Sequence, residues 1–219
     1  HTHCFKVCGD SLNADDVILE AYGRADAVHQ AWKVSQNILE FLSGIASKTH
    51  RMLSLAREAN PKIELLTTRK IFPRTKELAL KAVYAGGGAH HRLGLYDSVL
   101  VFKQHRVFFE NDEAFEGQFV KMKQRYLEKK IVVEVDSIEE AHYFAALGAD
   151  ILQCEKMDFD ALKACVALKQ TFPSLLVSAT GGIGEHNIAS YAKSGVDFIV
   201  TSSPYHASPS DIKVVIERV

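Results

Sequence analysis

The chain has 219 residues, of which 47% are apolar and 24% charged, and its formal net charge at pH 7 is −1. This composition is typical of an ordered globular chain, and its near-neutral charge gives no overall field that would favour nucleic acid or an anionic membrane as a partner. No apolar stretch has the length that crosses a bilayer, and the four cysteines form no CxxC pair, so the cytoplasm is the expected compartment.

The first segment, HTHCFKVC, contains four side chains that could bind zinc, namely His1, His3, Cys4 and Cys8. No second pair of ligands follows at the spacing of a zinc finger. We therefore interpret the segment as a β-strand and keep a zinc site as the alternative.

From Val28 onward, apolar residues recur mostly at steps of three and four, which predicts one long helix or two helices joined at Ser43-Gly44. After it, strand-like runs alternate with helix-patterned segments, which is a repeated βα pattern. The predicted strands are Ile63–Leu66, Ser98–Phe102, Ile131–Val135, Asp150–Leu152, Leu175–Ser178 and Phe198–Thr201. The predicted helices are Lys76–Tyr84, Ile138–Leu147, Phe159–Gln170 and Asn187–Lys193.

Two of these units are alike, because ALGADILQ and KSGVDFIV each end a helix with a glycine before a strand begins. Such units build parallel sheets, either open and doubly wound or closed into a barrel. The Rossmann fingerprint is absent from the first βα turn, so the sequence favours a six-stranded, TIM-like parallel α/β barrel. In a barrel of this kind, the functional site forms just past the C-terminal ends of the strands.

Two late loops have the composition of a phosphate site. The loop ATGGIGEHN (Ala179–Asn187) has paired glycines that let backbone N–H groups approach an anion, and TSSPYH (Thr201–His206) is rich in hydroxyl groups. Phosphate commonly binds in the loops after the last two strands of such barrels. We therefore predict a phosphate site that includes Ser202.

The other strand ends carry charged residues of both signs. Arg69 and Lys70 follow the first strand, and His90, His91 and Arg92 follow the glycines of GGGAHHR. Glu155 follows the fourth strand, and Glu134 lies inside the apolar strand IVVEV, where an unpaired charge is costly. Cations, phosphate loops and two acidic residues at one barrel mouth predict a sugar phosphate with a second phosphate group and a divalent metal.

Several motifs in fixed order resemble one enzyme family. TTRKIFPRTKELALKAVYAGGGAHHRLGLYDSVLVFKQH resembles the TRKT-PG, GGG-NHR-GL-D and KDNH signature of nicotinate-nucleotide pyrophosphorylase, also called quinolinate phosphoribosyltransferase. The similarity continues through SGIAS, VEVDSIEEA, GADILQCEKM, TGGI and GVDFIVTSS, and within the family it is closest to the ModD branch, which is associated with molybdenum transport. The resemblance implies transfer of a phosphoribosyl group from 5-phosphoribosyl 1-pyrophosphate (PRPP), with Mg²⁺, by a cytoplasmic homodimer.

The resemblance also implies a domain layout. Residues 1–50 would form a partial N-terminal α/β sandwich domain and a linking helix. Residues 51–206 would form the barrel, and residues 207–219 a C-terminal helix that packs back on the N-terminal domain.

Roles for site residues follow from the same resemblance, position by position. Arg69, His91 and Arg92 would bind a small aromatic acid, and Lys70 would contact PRPP. Glu134 and Glu155 would hold the ribose hydroxyls and Mg²⁺, with Lys70 as the third catalytic residue. The remaining implied contacts are Thr180, Gly181 and Gly182 to a phosphate, His206 near the pyrophosphate, and Lys33 in the partner subunit's site.

Departures from the family pattern concern the acceptor. Phe102 stands where the family has the Lys of KDNH, and Lys33 stands where it has an Arg. Lys103 is adjacent to Phe102, but successive strand side chains point to opposite faces, so we expect that Lys103 does not replace the lost charge. Arg74 stands where the family has a turn glycine. The sequence therefore predicts a phosphoribosyltransferase-like enzyme whose acceptor is a small anionic nitrogen heterocycle rather than specifically quinolinate.

Two other functions remain open on the sequence alone. A non-catalytic nucleotide or oxyanion sensor on the same barrel is favoured by Phe102, but it would not need both Glu134 and Glu155. A phosphate-binding isomerase or aldolase is less favoured, because no lysine at a strand end stands in an apolar pocket as a Schiff-base former.

Overall fold

The computed structural model describes residues 1–218, which form a small antiparallel sheet and a large parallel sheet packed against helices. The strands are β1 (Thr2–Cys4), β2 (Leu19–Ala21), β3 (Glu64–Thr67), β4 (Ala89–His90), β5 (Val99–Val101), β6 (Ile131–Val135), β7 (Ile151–Glu155), β8 (Leu176–Thr180) and β9 (Phe198–Thr201). The α-helices are α1 (Ala25–Ala59), α2 (Lys76–Ala85), α3 (Lys103–Arg106), α4 (Asp112–Arg125), α5 (Ile138–Ala146), α6 (Phe159–Ala167) and α7 (Ile188–Lys193). Two 3₁₀ turns follow α6 and β9, at Leu168–Gln170 and Ser203–His206.

The large sheet has seven parallel strands in the order β4-β3-β9-β8-β7-β6-β5. It is a curled half-barrel, because the edge strands β4 and β5 are not hydrogen-bonded to each other. The predicted parallel α/β architecture is confirmed, but the sheet has seven strands instead of six. The additional strand is β4, whose two residues are too few to produce a recognisable pattern in the sequence.

The two faces of this sheet have different neighbours. Side chains at alternate positions, such as Val133, Leu152 and Val177, are 0% exposed and belong to the main core, which includes residues of the surrounding helices. On the concave face, Leu100, Val132 and Ile151 form a separate apolar cluster. This cluster is the apolar floor beneath the C-terminal edge of the sheet.

Helix α1 runs without a break through Ser43-Gly44, so the one-helix interpretation is confirmed. The expected domain boundary between residues 50 and 51 falls inside this helix. Gly44 lies under the C-terminal segment, where an added Cβ would clash with the carbonyl oxygen of Ser208. Gly86 likewise lets the end of α2 approach α1, because a Cβ there would clash with the carbonyl oxygen of Ala46.

The C-terminal segment contains no helix between residues 207 and 218, so the predicted helix over 207–219 is wrong for the described part, and Val219 lies outside the described residues. The segment includes Pro209, and its backbone groups form hydrogen bonds with α1 instead of with each other. The N–H of Ser210 donates to the carbonyl of Glu40 at 2.9 Å, and Nε2 of Gln36 donates to the carbonyl of Ile212 at 2.6 Å.

At the other end of the chain, Thr2–Cys4 pairs with Leu19–Ala21, which confirms a strand within HTHCFKVC. Across residues 1–218, no group of three or more His, Cys, Asp and Glu side chains is placed to hold a metal ion. No helix in this part of the chain is both long and apolar enough to cross a membrane.

Candidate active site

The C-terminal edge of the parallel sheet gathers nearly all of the predicted site residues, because parallel strands end at the same edge. These residues lie in the last positions of the strands or in the loops that follow them: Arg69, Lys70, His91, Arg92, Phe102, Glu134, Glu155, Thr180, Gly181, Gly182, Ser202 and His206. Lys33 is the exception. It lies on α1, fifteen residues before Lys48, the residue of this helix that lines the cavity beside the glycine loop. Fifteen residues correspond to roughly 22 Å along a helix.

Glu134 is the half-buried acid of this edge. Its Oε2 accepts a hydrogen bond of 3.0 Å from Nε2 of Gln153 on the neighbouring strand. Burial, followed by the charge of Glu155, raises the pKa of Glu134, while the Gln153 hydrogen bond and Lys70 act in the opposite direction. The two carboxylates and Lys70 are therefore close enough to act on one another electrostatically. The pair of acids retains negative charge that a cation or ribose hydroxyls could compensate.

Arg69 and Arg92 form a cationic pair on the other side of the mouth. Arg92 is only 9% exposed, and burial together with the Arg69 guanidinium lowers its pKa. Within residues 1–218 neither guanidinium has a carboxylate partner within salt-bridge distance. Two neighbouring guanidiniums without a carboxylate are suited to a bound anion, which a planar guanidinium can grip with two parallel hydrogen bonds.

The two adjacent histidines have different environments. Burial, and next the charge of Arg92, lowers the pKa of His91 to about 4, so its ring is neutral at pH 7. His91 lies beside Phe198 of the concave face, with 6.1 Å between ring centroids. His90 instead contacts the hydroxyl of Tyr84 at 2.7 Å and Asp97 at 3.4 Å. Of these two histidines, His91 is therefore the one whose neutral ring is left for a ligand at this edge.

Phe102 immediately follows β5 and packs against the apolar cluster of the concave face. Continuing the β5–β6 register by one residue places Phe102 opposite Glu134. Lys103 does not replace the missing cation, because its Nζ lies 2.6 Å from Oδ2 of Asp136 and 3.7 Å from Oε1 of Glu140. Lys103 is thus paired with other carboxylates, and it begins α3 instead of continuing the strand as the prediction assumed. The acceptor side of the site has a phenyl ring near Glu134 and no free lysine from this loop.

The glycine loop after β8 adopts backbone conformations that favour glycine, with φ of +90° at Gly181 and +68° at Gly182. A Cβ at Gly181 would lie 2.5 Å from Cγ of Lys156 and 2.8 Å from Oε1 of Glu155, whereas a Cβ at Gly182 would meet nothing within 4 Å. Asn187 braces the loop, since its Oδ1 accepts from the Gly184 N–H and its Nδ2 donates to the Gly182 carbonyl. The loop is thus braced, and the space above Gly182 is open.

A cavity of about 400 Å³ lies beside this loop, lined by Lys48, Gly182, Ile183, Gly184, Glu185, His186 and Ser203. Of the predicted phosphate residues, only Gly182 lines it. Thr180 is buried beneath the loop, and the lining hydroxyl belongs to Ser203 rather than Ser202. His206 lines a second cavity of about 330 Å³, which also involves Lys48 and Glu185.

Two residues of this region, Lys48 and Gln153, were not predicted from the sequence. Lys48 reaches the cavity from α1, which the βα pattern does not connect with the strand ends, so no sequence signal pointed to it. Gln153 carried the same signal as Glu134, a polar residue inside an apolar strand, and could have been found by it. It is buried, and it provides the hydrogen bond to Glu134.

Comparison with known proteins gives a consistent result. The model of the family described as "Quinolinate phosphoribosyl transferase, C-terminal domain" matches residues 45–215. A protein of Pasteurella multocida named "Putative pyrophosphorylase ModD" is 38% identical over all of this chain and 78% of its own length. A probable carboxylating nicotinate-nucleotide pyrophosphorylase of Methanocaldococcus jannaschii is 31% identical over 98% of this chain and 77% of its own length. The solved structure of NadC from Streptococcus pyogenes superposes with a TM-score of 0.85 and 25% identity, over 96% of this chain and 73% of the other.

Proposed function

The chain belongs to the quinolinate phosphoribosyl transferase family and is an enzyme of the pentosyltransferase type, and from that premise we propose the reaction that it catalyses. The proposed donor is PRPP, and the proposed acceptor is a small anionic nitrogen heterocycle. A ring nitrogen of the acceptor forms a bond to C1 of the ribose, and the bond from C1 to the pyrophosphate oxygen breaks. The electron pair of that bond leaves with pyrophosphate.

The observation that carries this proposal is the division of the mouth into three chemical parts. Arg69 and Arg92 offer paired cations to a carboxylate, and Glu134 with Glu155 offers negative charge to the ribose. The Gly182 loop and its cavity offer N–H groups and a lysine to a phosphate. Positive charge develops on the ribose as the C1–oxygen bond breaks, and preorganised carboxylates stabilise it electrostatically. No covalent nucleophile is required.

We include Mg²⁺ in the proposal. Glu134 and Glu155 are suited to this ion, because Mg²⁺ is commonly held by one or two carboxylates together with substrate phosphates. A bound ion would supply charge neutralisation to the departing pyrophosphate. The cytoplasmic location and the association with molybdate transport belong to the same proposal, and the latter rests on the resemblance to ModD proteins.

The direct test is pyrophosphate release from PRPP and Mg²⁺ across a panel of nitrogen heterocycles with no, one or two carboxylates. We expect release that depends on the acceptor.

A second candidate function is a nucleotide or oxyanion sensor. The observation that favours it is Phe102, which removes a cation from the acceptor side. PRPP binding without pyrophosphate release for any acceptor would favour the sensor.

Lys48 provides a prediction about the phosphate end. Glu185, the acid of the cavity, is paired with Arg51 at 2.8 Å, whereas Lys48 has no carboxylate partner within residues 1–218 and makes one long contact of 3.5 Å to the His206 carbonyl. We expect Lys48→Met to weaken PRPP binding about fivefold, since a half-exposed charge contributes about 1 kcal/mol. Calorimetry measures this change, with Lys81→Met on the exposed side of α2 as the control. Equal affinities for the two variants would remove Lys48 from the site.

A homodimer is also part of the proposal. Val34, Ile38 and Phe41 form one exposed apolar stripe on α1, with exposures of 61%, 42% and 58%, and exposed Lys33 lies beside it. In the proposed dimer this surface covers its partner and places Lys33 near the partner's Arg69 and Arg92.

We expect light scattering to give about twice the chain mass of 24.3 kDa. Phe41→Asp is expected to give monomers and to lower activity, because it puts a charge into the interface. Val120→Asp, at an exposed apolar position of α4, is the control and should leave the mass unchanged. A fully active wild-type monomer would rule the shared site out.

A further inference from the structure

Gln153 has an unusual position on the concave face of the sheet. Its side chain is 4% exposed, and the strand register places it between Glu134 on β6 and Ser178 on β8. Its Nε2 donates to Glu134, but its Oε1 is buried and has no hydrogen-bond partner among residues 1–218. A buried polar atom without a partner is destabilising, so its retention in a packed sheet requires an explanation.

The orientation of this amide follows from the charge of Glu134. If the amide were reversed, Oε1 would face the carboxylate oxygen of Glu134, and two acceptors would oppose each other. The amide therefore gives its N–H to the carboxylate and leaves its own oxygen unpaired.

The neighbouring hydroxyl does not relieve this oxygen. Ser178 donates its hydroxyl to the carbonyl of Leu152 at 3.3 Å, and that hydroxyl has one proton to give. An apolar side chain of similar volume, such as methionine, would fill the same space beside Ile151 without the unpaired oxygen. The amide costs stability where it lies, and what it provides in return is a donor to Glu134.

Within residues 1–218, this contact is the one side-chain hydrogen bond of both Gln153 and Glu134. We propose that Gln153 is a positioning residue, which orients the Glu134 carboxylate toward the ribose hydroxyls of the donor at the expense of an unpaired buried oxygen. This inference rests on the role given to Glu134 in the proposed function. It adds a residue that contacts neither the phosphate nor the acceptor.

The test compares Gln153→Met with wild type, using ribose 5-phosphate and inorganic phosphate as calorimetric probes in the presence of Mg²⁺. We expect ribose 5-phosphate to bind about tenfold more weakly, the loss typical of one hydrogen bond to a charged group, while inorganic phosphate binds equally well. The unfolding midpoint should change by no more than about 2–4 °C, because the relief of the unpaired oxygen offsets the loss of the hydrogen bond to Glu134. Gln153→Leu is the second apolar variant.

Ser178→Ala is the matched control from the same layer. It should lower the unfolding midpoint, because it removes a buried hydrogen bond, and leave the affinity for ribose 5-phosphate unchanged. A merely structural role for Gln153 would lower the midpoint and weaken both ligands together, and that result would overturn the inference. Unchanged binding of ribose 5-phosphate by Gln153→Met would also overturn it.

The inference and the proposed function can fail separately. Wild-type protein that binds ribose 5-phosphate in a Gln153-dependent way but releases no pyrophosphate would sustain the inference and contradict the reaction. Pyrophosphate release by wild type, together with unaltered ribose 5-phosphate binding in Gln153→Met, would sustain the reaction and contradict the inference. Wild-type protein that binds no ribose 5-phosphate would overturn the inference, and acceptor-dependent pyrophosphate release would still decide the reaction.

Discussion

We expect Gly182→Asp to abolish the binding of PRPP while leaving the protein folded. A Cβ at this position meets nothing within 4 Å, and aspartate tolerates the left-handed backbone of φ +68° better than most residues. The new carboxylate would project into the space proposed for the 5-phosphate. Two like charges about 4 Å apart near a protein surface repel by about 4 kcal/mol, or on the order of a thousandfold in affinity.

The control for charge is Gly182→Asn, because the asparagine side chain has nearly the same shape as that of aspartate. It should retain much more affinity than Gly182→Asp, because it adds bulk without the negative charge. Calorimetry with PRPP measures both variants, and thermal unfolding confirms that they are folded. Unchanged affinity in a folded Gly182→Asp protein would refute the phosphate assignment for this loop.

The second large effect concerns the acceptor. We expect the wild-type enzyme to prefer an acceptor with at most one carboxylate and to turn over little or no quinolinate, because Phe102 offers an apolar ring face where a cation would neutralise a second carboxylate. Losing one charged hydrogen-bonding partner costs on the order of 1.5–3 kcal/mol, or roughly ten- to a hundredfold in affinity. Phe102→Lys, best combined with Lys33→Arg, should recover part of that quinolinate binding.

The register of β5 and β6 determines which controls this experiment needs. A lysine at position 102 would lie opposite Glu134, so its ammonium could pair with Glu134 instead of the acceptor. Phe102→Met is the control, because it keeps an apolar side chain and should recover nothing. Affinities for quinolinate and for a monocarboxylate analogue separate the two roles of the new lysine. Efficient quinolinate turnover by the unmodified enzyme would mean that Arg69, His91 and Arg92 suffice for both carboxylates.

The sequence predicted those parts of the fold that depend on local periodicity. Each of the six predicted strands overlaps an observed strand, because the alternation of short apolar runs with amphipathic helices reflects burial on the two faces of a parallel sheet. The two-residue β4 produces no such pattern. The helix predicted for the C-terminal segment came from the family resemblance. The actual course of the segment depends on hydrogen bonds to Gln36 and Glu40, which no local pattern encodes.

The candidate site shows the same division. Glu134, Lys70 and the Gly181-Gly182 turn could be predicted because strand ends converge in a parallel sheet. Lys48 could not, since its approach depends on how α1 lies across the β8–α7 loop. At Arg74, where the family pattern has glycine, the backbone is in the left-handed region with φ +69°. A glycine would fit this turn better than the arginine that occupies it here.

The open edge of the sheet has a mechanical consequence. In the described part of the chain, β5, which leads into Phe102, is three residues long and pairs only with β6, while β4 pairs only with β3. A closed barrel would resist the displacement of any one strand from two sides. Here the wall that carries Phe102 has no strand ladder on its free side, so we expect it to be displaced more easily than the central strands when acceptors of different widths bind. The rigid strands at the centre of the sheet would meanwhile keep Glu134, Gln153 and Glu155 in their places.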